Sequence, residues 1–139
     1  MKLVISYIFF IAIFFSGCTL YTEAGNSQNE VRILPPNWMK VGEESGDSLY
    51  VDIDNIKKNN GYVYYWELID FKDAIYGALS RISKFKVNCA KEEKANLDIT
   101  AYTGQMGKYI IINEGKYPGT LFFDASKSIT TKFACNRVK

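Results

Sequence analysis

Three cysteines, an acidic cluster around Asp52 and a spaced glycine pair are the groups in this 139-residue chain that could do chemistry, and histidine is absent. Without an imidazole, neither a Ser-His-Asp nor a Cys-His nucleophile can be assembled, and His-bearing zinc sites are excluded as well. Carboxylate catalysis needs two acids that converge on a cleft with separated proton affinities. Asp52 and Asp54 share a face if their strand runs on, and Asp70 and Asp73 follow a long strand, so capping of turns and strand ends is the simplest role for all four. Asp52, Asp54 and Asn55 also suggest a calcium loop. The EF-hand pattern, however, wants a polar ligand at its fifth position, glycine at its sixth and glutamate at its twelfth, where this chain has Ile56, Lys57 and Val63. A looser surface calcium site is what remains of that reading. Gly104 and Gly107 enclose Gln105 and Met106 without the Lys-Ser/Thr pair of a phosphate loop, and read as a hairpin loop. The residues define no catalytic set, no metal site and no cofactor, so the expectation is a protein that is not an enzyme.

Cysteine chemistry points elsewhere. Cys18 closes an apolar N-terminal run in the order Phe15, Ser16, Gly17, Cys18, with Lys2 as the positive end. Such a run reads as an export signal over residues 1–17. A cysteine directly after Ser and Gly resembles the lipobox of bacterial lipoproteins, whose thiol receives a diacylglyceryl group before cleavage. With an acyl group such as palmitate on its amine as well, about three chains would anchor the protein, where two already suffice. The rivals are an uncleaved span, for which the run of about 13 apolar residues is short of the roughly 20 needed, and a plain secretory signal. In an exported chain the remaining pair, Cys89 and Cys135, is the expected disulfide. Metal binding by the two thiols is the alternative, without CxxC spacing to support it.

Two surface candidates for recognition remain. Tyr62, Tyr64 and Trp66 recur at every second residue, so on a strand they form one row. An exposed row of amphipathic aromatics would mark a protein or glycan site or a homodimer seam, while aromatic pairing inside a sheet core, the commoner case, gives the same sequence. Lys84 and Lys86, with Arg81 and Lys91 nearby, form a basic stripe that could meet an acidic partner, although a solvated sheet face that resists aggregation is the simpler reading. The formal charge of +2, which falls to +1 when Lys2 leaves with the leader, is too small for a nucleic-acid footprint.

The elements that must position these groups are mostly short strands. Residues 18–36 are polar, end in Pro35 and Pro36 and show no periodicity, which suits a lipidated N-terminus and flexible tether ahead of one domain over 37–139. Strands are expected over 37–43 and 48–53 around a turn at 44–47, with a helical turn or tight bend at 54–58. The third strand, 62–71, carries Tyr-Val-Tyr-Tyr-Trp, with Val63, Tyr65, Glu67 and Ile69 on one face and Tyr62, Tyr64, Trp66 and Leu68 on the other. Both faces hold aromatic mass, so periodicity alone leaves the core side open. Further strands are expected over 80–89, with Phe85, Val87 and Cys89 inward, over 95–103, with Leu97, Ile99 and Ala101 inward, and over 108–113, broken by 115–119. From Asp124 the chain reads as a helix with Ser126 as N-cap, Ile129 and Phe133 at i and i+4, and Lys132 and Arg137 late, where the helix dipole favours cations. The expected fold is α+β: an antiparallel sheet of about six strands with a C-terminal helix across one face, stapled by Cys135 to Cys89.

Several of these residues, in order and spacing, resemble one known family. They are Trp38 opening the domain, the strand end Tyr50, Val51, Asp52, then Asn55 and Ile56, and Trp66 in the aromatic strand. Ser80 before a strand ending in Asn88 and Cys89, Tyr102 ahead of Gly104 and Gly107, and the final Cys135 complete the set. Together, over residues 37–135, they resemble the surface-adhesin protein E family. The resemblance implies a small antiparallel sheet with a helix fixed by the disulfide. It also implies a short lipoprotein of Gram-negative outer membranes, and attachment to host proteins such as extracellular-matrix components. The expected function is that of a non-enzymatic, membrane-anchored binding module that mediates adhesion. The alternative is an envelope lipoprotein with a structural or assembly role that faces the periplasm and meets bacterial partners only.

Overall fold

The computed structural model describes residues 35–138, so the expected leader, the Cys18 expected to carry lipid and all of the expected tether before Pro35 lie outside the described residues. Eight strands form one antiparallel sheet: β1 (Trp38–Glu44), β2 (Asp47–Asp52), β3 (Lys57–Asn59), β4 (Tyr62–Ile75), β5 (Ala78–Asn88), β6 (Glu93–Tyr102), β7 (Ile111–Lys116) and β8 (Phe123–Asp124). Six of them run in the order β1-β2-β4-β5-β6-β7, while β3 adds to β4 and β8 to β6. One helix, α1 (Ile129–Arg137), follows.

The β-branched and aromatic run at the start of β4 makes it the central strand. Asn60–Gly61 and Tyr76–Gly77, each with positive φ at both residues (49° and 80°, 49° and 84°), turn the chain tightly into and out of it. Its register pairs Val63 with Val87, Tyr65 with Phe85 and Glu67 with Ser83 on one side of the sheet. Val51, Val63, Tyr65, Phe85 and Val87 on that side join Ala134 of α1 in the buried cluster, and Cys89, Phe133 and Cys135 pack against it. The core is therefore the Tyr65 side of β4, and Tyr62, Tyr64 and Trp66 lie on the other side. Each fully buried Val of the cluster contributes roughly 1.5–3 kcal/mol.

Several boundaries differ from those expected, each for a local reason. The bend at 54–58 ends early: Asn55 N–H bonds Asp52 O, and Lys57 and Lys58 then pair with Tyr64 and Val63 as β3. The long strand runs past Phe71 to Ile75, with an irregular register after Asp70. The last long strand starts three residues later than expected, at Ile111, because a 3₁₀ turn at Gln105–Gly107 extends the preceding loop. Gly115, expected to break it, pairs with Ile99 instead. In β6 a bulge places Leu97 between the residues that pair with Phe85 and Lys84, so the inward alternation expected for Leu97, Ile99 and Ala101 is broken and Ala95 faces the side of Lys86.

The helix also starts later. Asp124 is paired with Glu93 in β8, and its carboxylate accepts from both the backbone and the hydroxyl of Ser126, which holds that serine in a turn. The N-cap is Ser128, not Ser126, its hydroxyl accepting from Thr131 N–H at 3.3 Å. The buried residues of α1 are Thr130, Thr131 and Ala134, whereas Ile129 and Phe133, expected to lead the apolar face, are half-buried. The threonines serve a polar purpose: their hydroxyls lie 3.1 and 3.0 Å from the Tyr65 hydroxyl, and Thr130 donates to the Glu67 carboxylate.

The Cys89–Cys135 disulfide joins the residue just beyond β5 to the last turn of α1, with a Cα separation of 5.9 Å across a sequence separation of 46. Closing a loop of that length contributes about 4 kcal/mol in the chain-entropy model. Reduction, or Cys89→Ser, is expected to lower unfolding free energy by about that amount, and identical urea transitions for oxidised and reduced protein would remove the staple from the account.

Tyr65 gives a second, pH-dependent expectation. Burial, reinforced by the Glu67 charge, holds its hydroxyl protonated well above the usual value of 10.0. Above pH 10 the unfolded chain therefore binds fewer protons than the folded one, and stability falls as pH rises. Lys94 acts with the opposite sign below 10.5, since burial lowers its pKa, but it is common to wild type and Tyr65→Phe. The stability lead of wild type over Tyr65→Phe, about 1 kcal/mol from hydrogen bonding at neutral pH, should shrink between about pH 10 and 11.5. A lead that stays constant in urea titrations across that range would contradict the assignment.

Candidate functional site

On the side of the sheet away from the core, β4 presents Tyr62, Tyr64 and Trp66, all half-buried. Antiparallel pairing sets Lys86 beside Tyr64 and Lys84 beside Trp66. From those positions Lys86 Nζ lies 4.2 Å from the Tyr62 ring centre and Lys84 Nζ 5.5 Å from that of Trp66. Phe122 stacks on Tyr62 at 5.9 Å with an interplanar angle of 30°, so the Lys86 ammonium, 5.7 Å from its ring, is shared by two aromatics. On one flank β3 sets Lys57 beside Tyr64, and on the other β6 sets Asp98 beside Lys84, with Lys116 3.2 Å from Asp98.

The result is a ladder of rings and ammonium groups, not a cleft. Each cation over a ring face contributes about 0.5–1 kcal/mol and fixes side chains that would otherwise be free to rotate. Such an ordered face can offer ring area, cation charge and hydroxyl donors to a partner at small entropic cost. Lys84 departs from the solvated role expected for it, being 8% exposed beside its strand partner Trp66.

The basic stripe is split. Residues 84 and 86 share parity, but Arg81 does not, so it points to the core side beside Ile69, and Lys91 lies in the following turn with its N–H on Asn88 Oδ1. Arg81 instead, half-exposed, reaches toward the buried carboxylate of Glu67. Glu67 is 4% exposed, with Lys94 Nζ 3.7 Å and Arg81 Nη2 3.9 Å from its carboxylate and Thr130 donating to it. Lys94 is also 4.0 Å from the Phe85 ring centre, and its burial pulls its pKa down against the pull of Glu67.

Three of the four acids considered for chemistry, Asp52, Asp54 and Asp70, hold backbone or side-chain amides. Asp52 is fully buried, accepting from Asn37 N–H at 3.1 Å and Asn55 Nδ2 at 2.8 Å, while Asp54 accepts from Asn37 Nδ2 at 3.0 Å. Asp70 Oδ1 accepts from Met106 N–H at 2.7 Å, and Ser80 Oγ both donates to Gly104 O and accepts from Gly107 N–H. Asp70 and Ser80 thus hold the glycine-bearing loop, and Asp73 is exposed. Among the described residues no group of three acids or cysteines is placed to hold a metal ion.

Phe122 and Lys94 escaped the sequence reading. Phe122 follows a glycine-rich break and sits in no periodic pattern. Lys94 does carry a signal: it stands two residues before Asn96, on the face that Phe85 and Val87 occupy across the pair. A charged residue there must be paired or buried at cost.

A family model described as surface-adhesin protein E matches residues 38–136 of the chain. The chain belongs to that family. Among solved structures it is similar to crystal form II of Haemophilus influenzae protein E, at 16% identity and a TM-score of 0.49, covering 76% of this chain and 98% of that one. Another Haemophilus influenzae protein E structure matches at 14% identity and a TM-score of 0.49 over 76% of this chain and 89% of that one. Protein E from non-typeable Haemophilus influenzae matches at 16% identity and 0.48, over 79% and 83% respectively. No curated protein sequence matches the chain.

Proposed function

We propose that this protein is a lipid-anchored surface adhesin that binds a protein partner through the Tyr62, Tyr64 and Trp66 face. The observation that carries the reading is the ordered ladder itself: Lys84 and Lys86 hold an aromatic row outside the hydrophobic core, where folding alone does not require it. Membership of the surface-adhesin protein E family supports the adhesive role. Contacts of α1 with β1, β2 and β4 support a helix that covers the opposite face, which leaves the aromatic face for the partner. Anchoring rests on the lipobox-like Ser16, Gly17, Cys18. Among the described residues no helix is long and apolar enough to cross a membrane. The partner class is a host or extracellular-matrix protein, met at the outer surface of a Gram-negative cell, and no catalytic step is involved.

Cys18→Ala is expected to move the protein out of the membrane fraction, and unchanged fractionation would refute the lipid anchor. For the binding face, the soluble domain from Asn37 onward is presented to immobilised matrix proteins and, in parallel, to the organism's own envelope extract. Tyr62→Ala and Lys86→Ala should each weaken capture of a matrix protein by about tenfold or more, equal to about 1.4 kcal/mol, with the domain still folded and melting lowered by only several degrees. Full retention by both variants would sink the assignment of the face. Capture from the envelope extract alone, with a domain that protease cannot reach on intact cells, would replace adhesion by a periplasmic assembly role.

A further inference from the structure

On the sheet side away from the aromatic ladder, where α1 begins, lies a cavity of about 250 Å³ whose polar lining is dominated by Arg81, Lys94, Lys127, Ser128 and Glu67. We infer that it is a binding site for a small, multiply charged oxyanion, a phosphate or polycarboxylate. Three observations converge. First, the three cations outnumber the acids Glu67 and Glu44 on the wall. Lys94 Nζ is held 3.7 Å from Glu67 and donates to Ser128 Oγ at 3.4 Å, whereas Arg81 Nη2 stands 3.9 Å from Glu67, too far for a hydrogen bond, so the arginine donors are not used up by it.

Second, two buried polar atoms of neighbouring residues on this face have no hydrogen-bond partner: Arg81 Nε and Ser83 Oγ, the serine being 1% exposed and directly across from Glu67. Buried polar groups are almost always satisfied, and an orphaned donor is costly, so an acceptor that enters the cavity, which Arg81 lines, accounts for the arginine nitrogen. Third, the nine-residue α1 directs its N-terminus, at Lys127, Ser128 and Ile129, at the same space, and its first N–H groups and dipole favour negative charge. Arginine and lysine donate and cannot accept, so the complement they fit is an anion with several acceptor oxygens; the planar arginine fork matches carboxylate and phosphate alike. Glu67 holds Lys94 and Thr130 in place and leaves Arg81 and the exposed Lys127 to face the ligand.

The test is calorimetric titration of the purified full-length protein in detergent with inorganic phosphate, with citrate, and with sodium chloride at matched ionic strength. Saturable heat with phosphate or citrate but not chloride is expected, and the better of the two names the ligand's chemistry. Lys127→Gln, at an exposed position, should weaken that binding about tenfold without changing the melting of the unliganded protein, and Lys86→Ala on the opposite face should leave it unchanged. An NMR shift of the Arg81 Nε–H on saturation reports the contact directly without any substitution. The inference is overturned if chloride matches both oxyanions, if Lys127→Gln binds as wild type, or if the Arg81 resonance does not move.

Discussion

The pairing of β4 with β5 is the constraint on which the rest of this molecule depends. Side chains on paired strands alternate with a period of two, so the register that sets Tyr65 beside Phe85 also sets Tyr64 beside Lys86. A slip by one residue would bring lysines into the hydrophobic cluster and carry valines out of it. The fold thus specifies the core and the aromatic ladder in one stroke, and neither can be altered by moving the strand without destroying the other.

The same pairing explains why part of the architecture could be read from residues alone. The run Tyr62 to Trp66 and the alternation around Phe85 and Val87 announce two strands, with the inward face of the second, and two thiols in a chain read as exported announce their bridge. What could not be read depended on partners distant in sequence. Thr130 and Thr131 look like poor helix residues, yet the helix keeps them because Tyr65 and Glu67 wait opposite. Ser126 looks like a cap, but Asp124 takes its hydrogen bonds first. Whether the row at Tyr62, Tyr64 and Trp66 was core or surface could not be decided from β4 itself, because both of its faces are aromatic. The lysines on β5 decide it. Arg81 was misplaced only by one step of parity, and that step moves it from one side of the sheet to the other.

The two faces solve the problem of charge in opposite ways. On the ladder side the cations meet ring faces, with Lys86 half-buried and Lys84 largely covered. On the Tyr65 side Glu67 and Lys94 are withdrawn from water, where an ion pair gains no clear stability over an apolar replacement. A small domain with few buried residues keeps such a pair at a cost, and the hydroxyls of Tyr65, Ser128 and Thr130 gathered around it show how much of the helix-proximal interior is given over to polar order.

The way the chain enters the domain has a mechanical meaning. Asn37 is clamped from three directions: its N–H to Asp52, its side-chain amide to Asp54, and its carbonyl oxygen to Ile53 N–H at 3.0 Å. Asp52 itself is fully buried and bonded to Asn55. Tension arriving along the N-terminal segment reaches this knot before it reaches the ladder of β1 against β2. The first event under load is then the loss of several bonds together instead of the sequential peeling of an edge strand, so the cluster of acids and amides at the domain's threshold works as a strain relief for the sheet behind it.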